Sequence, residues 1–252
     1  MRYSILLLVV FSIHITFSQV VPPTENVDTK TNNTIQFYAK DSVKITADTY
    51  FLDGVKPTVL LCHQAGFSRG EYLKTAIKLN DLGFSCMAID QRSGKEVNGI
   101  KNLTAIDAKN KAVNVGYAGA KQDIEAAIDY LCSINGNEPI ILVGSSYSAS
   151  LTLWIASENK NVKVAAAFSP GEYLNGKNLA KMIKPLKIPT FITSSKREIA
   201  PVEKLLRNVN PKYITHYKPK ERGVHGSRAL WENTDGYKGY WEAFKMFMLS
   251  NK

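Results

Sequence analysis

The stretch Pro139-Ile140-Ile141-Leu142-Val143-Gly144-Ser145-Ser146-Tyr147-Ser148 decides how the rest of this chain is read. Its first half is an unbroken apolar run rich in branched side chains, the pattern of a strand buried on both faces. Tyr147–Glu158 then reads as a helix. Between them stands the frame G-x-S-x-S. A serine hydroxyl is a poor nucleophile unless it is held exposed beside a base, and a sharp strand-to-helix turn holds it so. Ser146 is the candidate nucleophile, and Ser145 should point away. Gly144 and Ser148 are small enough to let helix and strand approach, Ser148 at some steric cost. The competing reading of the same letters is a serine-rich helix N-cap.

Outward from this turn the texture alternates. Thr34–Ala39 and Val43–Phe51 have period-two, β-branched character and read as a hairpin around Lys40-Asp41. Thr58–Cys62, Phe84–Ile89, Pro139–Val143, Val162–Phe168, Pro189–Thr193 and Tyr213–Tyr217 read as strands. Glu71–Leu82, Ala118–Ile134, Tyr147–Glu158, Leu179–Ile183, Val202–Val209 and Ser227–Leu249 read as helices, the last interrupted near Gly236. Glu71–Leu82 stops at Gly83, a usual C-terminal signal. The long polar segment Gln91–Gly116 carries no predicted element. Strands alternating with helices predict an α/β domain. Its central sheet is mostly parallel with helices on both faces, and the antiparallel hairpin lies at the N-terminal edge.

In such sheets ligands sit beyond the carboxyl ends of the strands, so chemistry is sought there. After Pro139–Val143 comes Ser146. After Thr58–Cys62 comes His63-Gln64-Ala65-Gly66-Phe67. A glycine-containing turn at that point can aim a backbone N–H at a developing oxyanion. The Tyr147 and Ala65 N–H groups are the candidate oxyanion donors, with Gln64 the alternative to Ala65. His63 reads as a brace for the loop rather than a base. After Tyr213–Tyr217 comes Gly223-Val224-His225-Gly226-Ser227, and His225 is the candidate base. His216 lies inside a strand-like run and reads as structural. After Pro189–Thr193 comes Ser194-Ser195-Lys196-Arg197-Glu198, whose first carboxylate is Glu198. Glu198 is the candidate acid, with Lys196 and Arg197 expected to keep it ionised if close. Glu172 competes for the role.

Composition bounds the alternatives. The 252 residues are 44% hydrophobic and 21% charged, ordinary globular usage that excludes a disordered, collagen-like or coiled-coil chain. Net charge is +10, but the basic residues are spread without an aromatic-interleaved stripe, so nucleic-acid binding is not expected. Residues 1–18, with Arg2 ahead of a short apolar run, read as a secretory signal peptide, and residues 19–32 as a linker to a domain over 33–252. The expected location is therefore periplasmic or secreted, with no integral membrane segment once the leader is cleaved. The 3 Cys are too few for a disulfide scaffold. Cys62, Cys86 and Cys132 are expected as buried free thiols, although a Cys62–Cys86 bridge stays open. No His or Cys pair has metal-ligand spacing, so neither metal nor cofactor is expected.

These residues carry a resemblance. Leu60-Leu61-Cys62-His63-Gln64-Ala65-Gly66, Asp90-Gln91-Arg92-Ser93-Gly94, the turn at Ser146 and the His225-Gly226 pair together resemble the α/β-hydrolases, nearest the dienelactone hydrolase-like and small serine-esterase group. The order nucleophile, acid, histidine matches as well. Three positions depart from the family pattern. Gln64 stands where glycine is common, Ser148 replaces the second glycine of the turn, and Glu198 stands one residue beyond the usual Asp, at Arg197. The resemblance implies a serine hydrolase that cleaves a carboxylic ester or related acyl bond of a small-molecule substrate, using Ser146, His225 and Glu198. Its rivals are a catalytically silent binding protein of the same fold, and an acyl transferase or peptidase using the same three residues. Ser169–Ile188 leaves room only for a small lid, and Gln91–Gly116 is expected to border the site.

Overall fold

The computed structural model describes residues 33–54 and 57–252; the expected leader and linker lie outside them. Eight strands form one sheet: β1 (Asn33–Tyr38), β2 (Lys44–Tyr50), β3 (Thr58–Cys62), β4 (Ser85–Ile89), β5 (Ile140–Ser145), β6 (Val162–Phe168), β7 (Thr190–Thr193) and β8 (Ile214–Tyr217). Their spatial order is β1-β2-β4-β3-β5-β6-β7-β8. β1 and β2 pair antiparallel at one edge, β2 meets β4 antiparallel, and every later pairing is parallel. The expected hairpin and parallel sheet are both present.

The unbroken apolar runs are central strands because both of their faces are covered. Along β3 and β5, Leu60, Cys62, Ile140 and Leu142 enter one core, and Val59, Leu61, Ile141 and Val143 enter the other. The first core is closed by α3 (Lys121–Ile134) through Ile124, Ala127, Ile128 and Leu131, and by α4 (Tyr147–Glu158). The second is closed by α1 (Leu73–Asp81) through Ala76 and Leu79, and by α7 (Tyr237–Ser250) through Tyr240, Phe244 and Met248. Because successive strand residues face opposite ways, Cys62 and Cys86 lie in different cores and cannot be bridged. All three cysteines are buried free thiols.

Several elements begin or end differently from the sequence pattern. α1 and α3 are each preceded by a 3₁₀ turn, Arg69–Tyr72 and Tyr117–Ala120. The last predicted helix is a 3₁₀ turn at Ser227–Leu230 followed by α7, the break falling at Gly236 in the left-handed region. The polar segment also holds a two-residue hairpin, Glu96–Val97 with Ile100–Lys101, and the helix α2 (Leu103–Asn110). α2 lacks an apolar stripe because Leu103 and Ile106 face outward, so periodicity did not reveal it. Two short helices complete the order, α5 (Leu179–Met182) and α6 (Ile199–Leu206). Among the described residues no helix is long and apolar enough to cross a membrane.

Candidate active site

β5 runs straight into α4, and Gly144 makes the join possible: a Cβ there would overlap the Ser148 carbonyl and the Thr152 hydroxyl. Ser146 sits at the apex with φ 58° and ψ −121°, a conformation that non-glycine residues adopt only when their surroundings force it. Its N–H is pinned to the Phe168 carbonyl at 2.8 Å, and its own carbonyl accepts from Ser150 N–H as α4 begins. Ser145 faces the other way, its Oγ accepting from Ser227 N–H at 2.8 Å. Ser148 is fully buried; its hydroxyl donates to the His63 carbonyl at 2.5 Å and accepts from the Gln91 side chain at 2.8 Å. The position read as a steric cost is therefore a hydrogen-bonded tie between α4 and two strand-end loops.

His225 follows β8 and precedes Gly226, whose φ is 76°. A Cβ on Gly226 would overlap the Gln64 side chain and the Ser145 hydroxyl, so only glycine lets this loop fold back onto the sheet. The fold brings His225 Nε2 to 2.7 Å from Ser146 Oγ and His225 Nδ1 to 2.5 Å from Glu198 Oε1. Glu198 ends a 3₁₀ turn after β7. Its other oxygen accepts from Ser195 N–H at 3.0 Å, the Ser195 hydroxyl at 2.7 Å and the Ser169 hydroxyl at 2.9 Å. Burial raises a carboxyl pKa, but the bonds from His225 and Ser195 outweigh it here and hold Glu198 down to about 2. The larger causes are these bonds and not Lys196 or Arg197; Lys196 Nζ donates to the Lys220 carbonyl. Glu172, the rival acid, caps α5 by accepting from Leu179 and Ala180 N–H at 2.7 and 2.9 Å.

His63 is a brace. It is fully buried, its Nδ1 bonds the Gln64 carbonyl at 2.7 Å, and its Nε2 accepts from Gln91 N–H at 2.9 Å. Burial, working against those backbone bonds, pushes its pKa down to about 4, so the ring is neutral near pH 7. His216 lies within β8, as read. β3 and β5 are parallel neighbours with Cys62 opposite Gly144, so the loop after β3 leaves the sheet beside Ser146. In that loop Gln64 N–H donates to the buried Glu71 carboxyl at 2.7 Å, which removes Gln64 as a free donor. Ala65 N–H has no protein acceptor among the described residues. Tyr147 opens α4, where a first-turn N–H has no partner within its own helix.

Aromatic rings frame this group. Tyr173 meets His225 edge-on at 6.3 Å, and Tyr117 stacks on Tyr147 at 4.5 Å. The Tyr147 hydroxyl reaches the Ser93 carbonyl at 3.4 Å, tying the segment after β4 to the first turn of α4. Ser169 was not singled out from sequence. Its hydroxyl links Glu198 to Gly226 N–H, and its place at the end of β6 was the available signal. Among the described residues no group of three or more His, Cys, Asp or Glu is arranged to hold a metal ion.

No family model and no curated protein matches the chain. Solved structures do. An esterase of Pyrococcus furiosus, Pf2001, superposes with a TM-score of 0.67 at 18% identity, over 86% of this chain and 89% of that one. A dienelactone hydrolase from Anabaena variabilis gives 0.66 at 16%, over 88% and 98%. An esterase domain of a Rhodothermus marinus protein gives 0.61 at 14%, over 87% and 98%. The chain has the α/β-hydrolase fold. In this α/β-hydrolase fold the strand ends after β3, β5, β7 and β8 converge on one point, where Ser146, His225 and Glu198 stand.

Proposed function

We propose that the chain is a serine hydrolase that cleaves a carboxylic ester or related acyl bond of a small molecule. One observation carries this reading: His225 bonds Ser146 Oγ through Nε2 and Glu198 through Nδ1. In the proposed reaction His225 accepts the Ser146 proton while Oγ attacks the acyl carbon. Glu198 holds the ring in the tautomer that leaves Nε2 free to accept, and it stabilises the imidazolium. The oxyanion receives the Ala65 and Tyr147 N–H groups. His225 returns the proton to the leaving oxygen, and water then releases the acyl-enzyme with His225 again as base. The neighbours named esterase and dienelactone hydrolase support hydrolysis as the class of reaction. A location in the periplasm or outside the cell belongs to the same proposal and rests on the leader-like residues 1–18.

The strained, histidine-bonded serine favours this reading over a silent binding protein. A fluorophosphonate probe tests it: the intact protein should label rapidly and Ser146→Ala should not. Hydrolysis of a p-nitrophenyl ester series should vanish with the label. A chain that neither labels nor hydrolyses any acyl length would overturn the reading.

A further inference from the structure

Glu71 belongs to no step of that reaction, yet its carboxyl is buried at the centre of the loops that carry it out. The residue is 1% exposed. One oxygen accepts the Gln64 N–H at 2.7 Å, in the loop after β3. The other meets the Ser227 hydroxyl at 2.5 Å, two residues beyond His225. The backbone carbonyl of Glu71 accepts from Trp231 Nε1 at 3.0 Å, a second link to the same loop. Ser145 joins from the nucleophile turn, since its hydroxyl accepts from Ser227 N–H at 2.8 Å. Burial raises the Glu71 pKa, against the bonds from Ser227, Gln64 and Ser145 and the nearby charge of Arg228.

Gln64 N–H is turned inward to Glu71. Ala65 N–H shares one rigid peptide plane with the Gln64 carbonyl, which bonds His63 Nδ1 at 2.7 Å, so a Gln64 held at both its N–H and its carbonyl holds the Ala65 N–H as well. We propose that Glu71 is a positioning residue that joins the loop after β3 to the loop after β8. The tie sets the Ala65 N–H and the His225 ring in register with Ser146. The inference rests on the serine-hydrolase reading but concerns geometry that exists without substrate.

The test uses the full chain and three substitutions. Glu71→Leu removes both acceptors. Glu71→Gln keeps them in kind, because its carbonyl accepts from Gln64 N–H and its amide donates to the Ser227 hydroxyl. Ser227→Ala cuts the carboxyl's link to the His225 loop and leaves the Trp231 bond in place. Amide exchange is followed at Gln64 and Ser227, and kcat and KM are measured on p-nitrophenyl acetate. In Glu71→Leu, exchange protection should be lost at both amides, and kcat should fall about a hundredfold with KM within about twofold, the effect of displaced catalytic groups. Glu71→Gln should restore protection and bring kcat within about fivefold of the parent. Should Glu71→Leu fail to fold, Ser227→Ala decides: kcat about tenfold lower is expected, with faster exchange at the position-227 amide, because its Ser145 acceptor remains but the loop has lost its side-chain anchor on Glu71, and with Gln64 still protected. Unchanged exchange and kcat in Glu71→Leu, or in Ser227→Ala where the first does not fold, would overturn the proposal. If the parent protein neither hydrolyses the ester nor labels with a fluorophosphonate, the functional reading fails. The exchange arm then still shows whether Glu71 orders the two loops, and unchanged exchange overturns the tie.

Discussion

Ser148 and His63 are joined across 85 residues of sequence by a buried hydrogen bond of 2.5 Å from the serine hydroxyl to the histidine carbonyl. Gln91 completes the arrangement by donating its side-chain amide to the same hydroxyl. A glycine at this position would let α4 approach β5 equally well. It would also leave the His63 carbonyl and the Gln91 amide without their protein partner inside the molecule. Ser148→Gly should therefore lower stability by about 1–3 kcal/mol, the usual consequence of orphaning a buried polar group. Urea unfolding checks this through the transition midpoint at constant slope; a variant as stable as the parent would show that the tie contributes nothing.

Ser145 and Ser146 are adjacent and have opposite fates. Ser146→Ala should reduce ester hydrolysis by about a millionfold, as loss of a triad nucleophile does. Circular dichroism and the unfolding midpoint should stay near the parent's, because among the described residues Ser146 Oγ is bonded only to His225. Ser145→Ala removes the acceptor of Ser227 N–H and should leave activity within about tenfold. The reverse ranking of the two variants would place the nucleophile at Ser145.

The parts of the site that follow strand ends were legible in the chain itself. Buried parallel strands announce themselves as apolar runs, and a serine, an acid and a histidine after three of them are few enough to name. Glu71 and Ser169 were not legible. Their roles depend on bonds to Ser227, 156 residues away, and to Glu198, 29 residues away, and no local pattern encodes such a meeting. The short helix α2 escaped for a different reason, since its apolar residues Leu103 and Ile106 face outward. Adjacency in sequence does not tell which groups hold the acid ionised: Lys196 Nζ reaches the Lys220 carbonyl. The Glu198 carboxylate turns to His225 and two serines instead.

Glu198→Gln keeps the shape of the acid but replaces an acceptor with an amide, which favours the wrong tautomer of His225. The expected loss in kcat is up to about ten-thousandfold, by analogy with triad acids. The same substitution has a pH signature in stability. The folded-state pKa of Glu198 lies near 2 and the ordinary value is 4.5, so the folded state favours the ionised form. That contribution is fully present above pH 4.5 and is lost as pH falls toward 2. The parent and Glu198→Gln should therefore differ most in unfolding midpoint above that window and converge below it. A difference that stays constant from pH 5 down to about 2 would contradict the assignment.

His63 gives the same sign of pH dependence at a milder pH, because burial penalises its charged form. Its folded-state pKa is about 4 and its ordinary value 6.5, so in that interval the unfolded chain binds a proton that the native protein does not. Native stability should therefore fall as pH drops from 6.5 toward 4, with the full penalty reached below the lower value. At roughly 1.4 kcal/mol per unit of displacement, the loss is at most on the order of 3 kcal/mol. His63→Gln should be less stable than the parent at pH 7, because Gln91 N–H loses its Nε2 acceptor. Yet its stability should be flatter with pH across the same interval, since glutamine does not titrate. Chemical unfolding at pH 7, 6, 5 and 4.5 measures both curves, and parallel slopes for the two proteins would mean that His63 is not the buried neutral group that braces this loop.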